Sequence, residues 1–111
     1  MSRWKVTVRT GPRVERVTAA TAAEALDELL TRTRVAAANA RRGTIDLRYR
    51  RFEPSEQVVA RAELRGPGGL RAGLDVRGDG DVQAWTGRVR RRPLDGDDPY
   101  EAVRSRVSAE P

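Results

Sequence analysis

The sequence contains no histidine and no cysteine. Without cysteine there is no disulfide framework, no thiolate metal ligand and no thiol nucleophile. Without histidine the Ser-His-Asp and Cys-His nucleophile pairs are gone, together with the commonest metal ligand and the side chain best matched to proton transfer at neutral pH. Aromatic residues make up only 5% of the chain, so a core must be assembled chiefly from Val, Leu and Ala. Lysine is nearly absent as well, with Lys5 standing alone among the basic residues. No stretch approaches the roughly 20 apolar residues of a membrane-crossing helix. Met1 to Thr10 lacks the unbroken apolar run of a secretion signal, so the expected location is the cytoplasm, with no membrane partner.

What is present is arginine. Lys and Arg together number 22 against 16 Asp and Glu, a formal net charge of +6 over 111 residues. Arginine alongside abundant Ala, Gly, Val and Asp is the composition of a high-GC bacterial coding sequence, which discounts the choice of Arg over Lys. It does not discount the sign of the charge, because exchanging Lys for Arg leaves net charge unchanged. A positive surplus favours polyanionic partners.

The length suits one domain, and no internal repeat or composition shift divides residues 1–111. Trp4, Val6 and Val8 alternate with polar residues as a strand with one buried face. The turn residues Thr10-Gly11-Pro12 then lead into Val14–Ala19, completing a β-hairpin. Alternation breaks at Val14-Glu15-Arg16-Val17, which fits either a bulge or a short edge strand. Thr21-Ala22-Ala23-Glu24 is a capping box and starts a helix. Ala22, Leu26, Leu29, Leu30, Thr33 and Ala37 form its buried stripe, and Gly43 provides the left-handed residue that ends it.

Period two then returns. Ile45, Leu47 and Tyr49 mark one strand, Val58, Ala60, Ala62 and Leu64 a second, and Leu70, Ala72, Leu74 and Val76 a third. Val82–Arg90 is a fourth, of uncertain phase, since Val82 and Ala84 share one side while Trp85 and Val89 share the other. Residues 93–111 hold an acidic turn, a short helix capped by Asp98 with Pro99 in its first turn, and a frayed tail; Tyr100, Val103 and Val107 share the helix's inner face. The expected fold class is α+β: a β-hairpin, a central helix, a four-stranded antiparallel meander packed on that helix, and a short C-terminal helix.

The candidate chemistry is sparse. Glu15, Glu24 and Asp27 read as capping and solvated helix charge. Asp79-Gly80-Asp81 and Asp95-Gly96-Asp97-Asp98 lack the ligand spacing of a calcium loop and read as turns. Arg77-Gly78-Asp79 spells an adhesion tripeptide but falls at a hairpin tip. Gly66-Pro67-Gly68-Gly69 lies between strands rather than opening a helix, so no helix dipole faces it as a phosphate cradle requires. The expectation is a domain with no enzymatic role, no cofactor and no metal.

One constellation remains. Arg48, Arg50, Arg61, Arg65, Arg71 and Arg77 take the outward phase of their strands, Asp46, Glu63 and Asp75 oppose them, and the Arg88–Arg92 cluster, represented by Arg88 and Arg90, extends the charge. Such a face is suited to a phosphate backbone, and an outward Trp85 would offer one stacking surface to an unpaired base. Two readings stay open: a nucleic-acid-binding module using this face, and a protein-interaction or self-assembly module pairing through an edge strand.

Overall fold

The computed structural model describes residues 3–43, 57–87 and 90–108. They form one six-stranded antiparallel sheet with two helices on one of its faces. In chain order the elements are β1 (Trp4–Thr10), β2 (Arg13–Ala19), α1 (Ala22–Arg41), β3 (Val58–Arg65), β4 (Arg71–Arg77), β5 (Val82–Thr86), β6 (Arg92–Pro93) and α2 (Pro99–Ser108). Strand order is β2-β1-β3-β4-β5-β6, so the hairpin and the meander are joined in one sheet by pairing of β1 with β3. The α+β class and the order of hairpin, helix, meander and short helix follow the sequence expectation. The expected strand at 45–50 lies outside the described residues. Among the described residues no helix is long and apolar enough to cross a membrane.

The start of α1 is written locally. The Thr21 side chain accepts a hydrogen bond from the Glu24 amide at 3.2 Å, and the Glu24 carboxylate accepts one from the Ala20 amide, also at 3.2 Å. The reciprocal arm of the cap therefore reaches one residue further back than the usual capping box, and still satisfies an amide at the helix entry. At the other end Gly43 takes φ +72 and its amide donates to the Ala40 carbonyl. The buried stripe is Ala25, Leu26, Leu29, Leu30, Thr33, Ala36, Ala37 and Ala40, with Ala22 half-buried at its rim. Thr33 fits among apolar neighbours because its hydroxyl donates to the Leu29 carbonyl at 2.7 Å.

The main core closes α1 and α2 over Val6, Val8, Ala62, Leu64, Ala72, Leu74 and Ala84, with Val103 and Val107 supplied by α2. The Asp98 carboxylate accepts from the Tyr100 and Glu101 amides at 3.0 and 3.3 Å, which starts α2 where the sequence places it. Tyr100 is half-buried beside α1, with the Arg34 guanidinium 4.4 Å from the centre of its ring. Burial raises the Tyr100 phenol above its usual range, against the lowering effect of the nearby Arg34 and Arg41 charges.

Two strands depart from simple alternation. β2 pairs with β1 in unbroken register from Trp4↔Ala19 to Thr10↔Arg13, so its irregular pattern marks an edge strand and no bulge. The bulge is in β3 instead, where the register with β4 shifts between Val58 and Ala60. Sequence alternation puts Val58 inward and Val59 outward. The shift turns Val59 into a second small core with Ala36, Ala37, Ala40, Ala60 and Val76, and leaves Val58 facing out. The C-terminal half of α1 is lined by alanines, so one extra inward valine fills space that their short side chains leave.

The last expected strand is shorter than 82–90. β5 ends at Thr86, and pairing resumes at β6, where Thr86 meets Arg92 and Trp85 meets Pro93. Gly87 makes the break: its φ is +145, and a Cβ there would collide with the Arg90 carbonyl. Pro93 sits in the outermost strand, where a missing amide leaves no ladder bond unmade.

Candidate nucleic-acid interface

With the helices on one face, the other face of the sheet is built from the outward positions of each strand. Register assigns Arg16 and Thr18 of β2 to it, with Lys5, Thr7 and Arg9 of β1 and Arg61, Glu63 and Arg65 of β3. β4 adds Arg71, Gly73, Asp75 and Arg77, and β5 adds Gln83 and Trp85. Glu63 and Asp75 are the carboxylates on this face among the described residues. Of the sequence candidates, Arg61, Arg65, Arg71, Arg77 and Trp85 therefore do share one surface. Arg90 lies beyond it in the exposed segment before β6. Arg48, Arg50 and Arg88 lie outside the described residues.

The candidates from β3 and β4 are tied into the sheet. Arg61 forks onto Asp75, Nε to Oδ1 at 2.8 Å and Nη2 to Oδ2 at 3.2 Å. The Nε atoms of Arg65 and Arg71 converge on Glu63 Oε1 at 2.6 and 2.8 Å. Burial by itself would raise the Glu63 carboxyl, but hydrogen bonds from Arg65 and Arg71, with their charges, outweigh it and hold the group below the usual carboxylate range. Arg77 is half-buried at the end of β4. These contacts are charge-assisted; the Arg61–Asp75 and Arg71–Glu63 pairs are partly desolvated, while the Arg65 side chain stays exposed.

Trp85 resolves the open question of strand phase in an unforeseen way. It takes the outward phase opposite Gly73, yet only 3% of it is exposed. The ring lies flat on the strand because Gly73 has no side chain; a Cβ there would meet the ring and the Ala62 carbonyl. Its Nε1 donates to Asp75 Oδ1 at 3.1 Å, and the guanidinium carbons of Arg71 and Arg91 stand 5.2 and 5.7 Å from the ring centre. Asp75 thus holds Arg61 and Trp85 at once. An outward phase with an unavailable ring leaves no stacking platform in this arrangement, because the sheet's own arginines and glycine gap already enclose it.

The hairpin half of the face is different. Lys5, Arg9 and Arg16 are exposed, and no described carboxylate pairs with them. Sequence reasoning passed over all three. The alternation of β1 already gives the phase of Lys5 and Arg9, whereas Arg16 reaches this face only through its register with Thr7. The nearest acid on β2, Glu15, takes the opposite phase and pairs with Arg32 of α1 at 2.6 Å and with Arg13 at 3.4 Å.

The motifs read as turns behave as turns. The Asp79 carboxylate accepts from the Asp81 amide at 2.9 Å, and the Gly80 amide donates to the Arg77 carbonyl at 2.9 Å, closing the β4–β5 hairpin. Among the described residues no group of three or more His, Cys, Asp or Glu side chains is placed to hold a metal ion. Comparisons with protein-family models, with curated proteins and with solved structures found no match.

Proposed function

We propose that this domain is a non-enzymatic binding module for the phosphate backbone of nucleic acid, engaged through the outer face of the sheet. The observation that carries the reading is the exposed set Lys5, Arg9 and Arg16 on adjacent strands, with no described acid partner. The ion-paired arginines of β3 and β4 continue the same surface. Their carboxylates neutralise part of the local charge, so the hairpin half supplies most of the attraction and the meander half a rigid floor. With Trp85 enclosed, the reading predicts backbone contact with little base preference.

The test is binding of labelled single- and double-stranded DNA and RNA across a salt series, comparing the wild type with an Arg9→Glu/Arg16→Glu variant. Three phosphate contacts imply a log–log salt slope of roughly −2 to −3. Binding that ignores salt, or survives the double reversal unchanged, would sink the proposal.

The free side of β2 favours a second reading. Among the described residues no strand covers it, and seven residues, Arg13–Ala19, present an edge to which another chain can add. Arg13, Glu15 and Arg16 along it are the charges that discourage casual edge pairing, which ranks this reading below the first. A strictly monomeric particle in light scattering, with no strand peptide bound, would remove it.

A further inference from the structure

The ladder bonds fix which backbone groups the free side of β2 offers. The Gly87 amide donates to the Arg71 carbonyl at 3.1 Å and the Arg77 amide to the Asp81 carbonyl at 2.8 Å, so the odd-numbered residues of β4 turn their backbone groups toward β5. Carried through the register, the even-numbered residues of β4 bond to β3, and Arg61, Glu63 and Arg65 bond to β1. Val6 and Val8 then bond to Val17 and Glu15 of β2. The amides and carbonyls of Val14, Arg16 and Thr18 therefore point away from the sheet, where no described strand meets them.

Beside this edge lies a groove. The helix α1 packs chiefly over β1, β3 and β4 and leaves the inner phase of β2 largely uncovered. Arg13 and Glu15 are exposed there and Val17 is half-buried. A cavity of about 330 Å³ separates the hairpin from the helix, lined in part by Val8, Thr31, Val35 and Ala36 together with Arg13 and Glu15. Val35 is 56% exposed, the most exposed large apolar side chain among the described residues. Arg32 on α1 meets Glu15 on β2 at 2.6 Å and ties the two walls together. A strand added to β2, about 4.8 Å further out, would complete the ladder bonds of Val14, Arg16 and Thr18 and set every second side chain on this apolar shelf.

The intervening side chains would lie on the outer face beside Val14, Arg16 and Thr18, a row with one cation and no acid, next to Arg9 and Lys5 of β1. A second copy of β2 carries that same row and brings no acid to meet Arg16. A strand with acidic residues at those positions does, so the charges that deter unselected edge pairing become selective for it. We infer that the groove between β2 and α1 binds an extended segment of a protein partner, with apolar residues toward Val17 and Val35 and acidic residues between them beside Arg16. This inference rests on the edge-strand reading and not on nucleic-acid contact.

The experiment follows backbone amide exchange in the 15N-labelled protein with the peptide acetyl-Ser-Val-Glu-Val-Glu-Val-Ser-amide, and with its counterpart carrying Lys in place of Glu. In the free protein the amides of Val14, Arg16 and Thr18 are expected to exchange freely, and the acidic peptide to slow them about tenfold or more, whereas the basic peptide leaves them unchanged. Val35→Glu, an exposed change with the thermal transition intact, should weaken the acidic peptide about tenfold by placing a charge on the shelf. Arg16→Glu should exchange the preference, favouring the basic peptide over the acidic one. Slow exchange of these three amides in the free protein, with or without dimer in light scattering, would show the edge already taken and overturn both the inference and the edge-strand reading. No slowing with either peptide would do the same. Equal slowing by both peptides, or full affinity in a folded Val35→Glu variant, would leave the edge-strand reading standing and overturn the inference alone.

Discussion

The two halves of the outer sheet face carry the same kind of residue for different purposes. On β3 and β4 the cations are woven into structure: Arg61 onto Asp75, Arg65 and Arg71 onto Glu63, and Arg71 again over the Trp85 ring of β5. On β1 and β2, Lys5, Arg9 and Arg16 stand exposed in no described ion pair. Net charge is blind to this distinction. An arginine fixed by a carboxylate must be released before it can bind a phosphate, while an unpaired one already sits where a polyanion would neutralise it. The hairpin half is therefore the part suited to recognition, and the meander half the part suited to support.

The sharpest way to break this comparison is Trp85→Ala. Removing a nearly enclosed indole from the outer face should destabilise the domain by about 3–5 kcal/mol, measured by chemical denaturation, as though the residue belonged to the core. A loss under about 1 kcal/mol, the size expected of an ordinary surface site, would mean that the ring is not held as described.

Gly73→Ala comes next. The new methyl meets the Trp85 ring, so a destabilisation of roughly 1–3 kcal/mol is expected. That penalty should shrink when Trp85 is already Ala, and a double-mutant cycle over the pair measures the coupling directly. Additive effects would show that the glycine is required for some reason other than the ring.

Glu63 gives the comparison a pH dependence. Its folded carboxyl titrates below the usual value, so its contribution to stability is fully present above the unfolded value of about 4.3 and is lost as pH falls through the lower folded one. The midpoint of thermal unfolding should exceed that of Glu63→Gln at neutral pH, with the gap closing in the acidic range below about 4.3. A gap of constant size down to low pH would disconnect Glu63 from Arg65 and Arg71.

The smallest effect belongs to the other half. Arg9→Ala/Arg16→Ala should change stability by no more than about 0.5 kcal/mol, since neither side chain has a described ionic partner to lose. A large loss in chemical denaturation would show these residues to be structural after all, and would erase the difference between the halves.

Local chemistry determined much of this protein. The capping box at Thr21 and Glu24, the left-handed Gly43, the Asp98 cap of α2 and the period-two runs of β1, β3 and β4 are interactions within a few residues of chain, so they were legible in the sequence and gave the α+β class and element order. What the sequence left open depends on residues distant along the chain. The bulge that turns Val59 inward answers the space left by the alanines of α1, and no local pattern encodes that space. The phase of Trp85 follows from its register with Gly73, and its enclosure from Gly73, Asp75, Arg71 and Arg91 together. Alternation identified Arg61, Arg65 and Arg71 as outward but could not reveal that carboxylates hold them: Asp75 and Glu63 across strands for Arg61 and Arg71, and Glu63 two residues back on the same strand for Arg65. Charge and period thus set which residues face solvent, while the tertiary arrangement, chiefly cross-strand register, decided which of those cations were already paired and which were left for a partner.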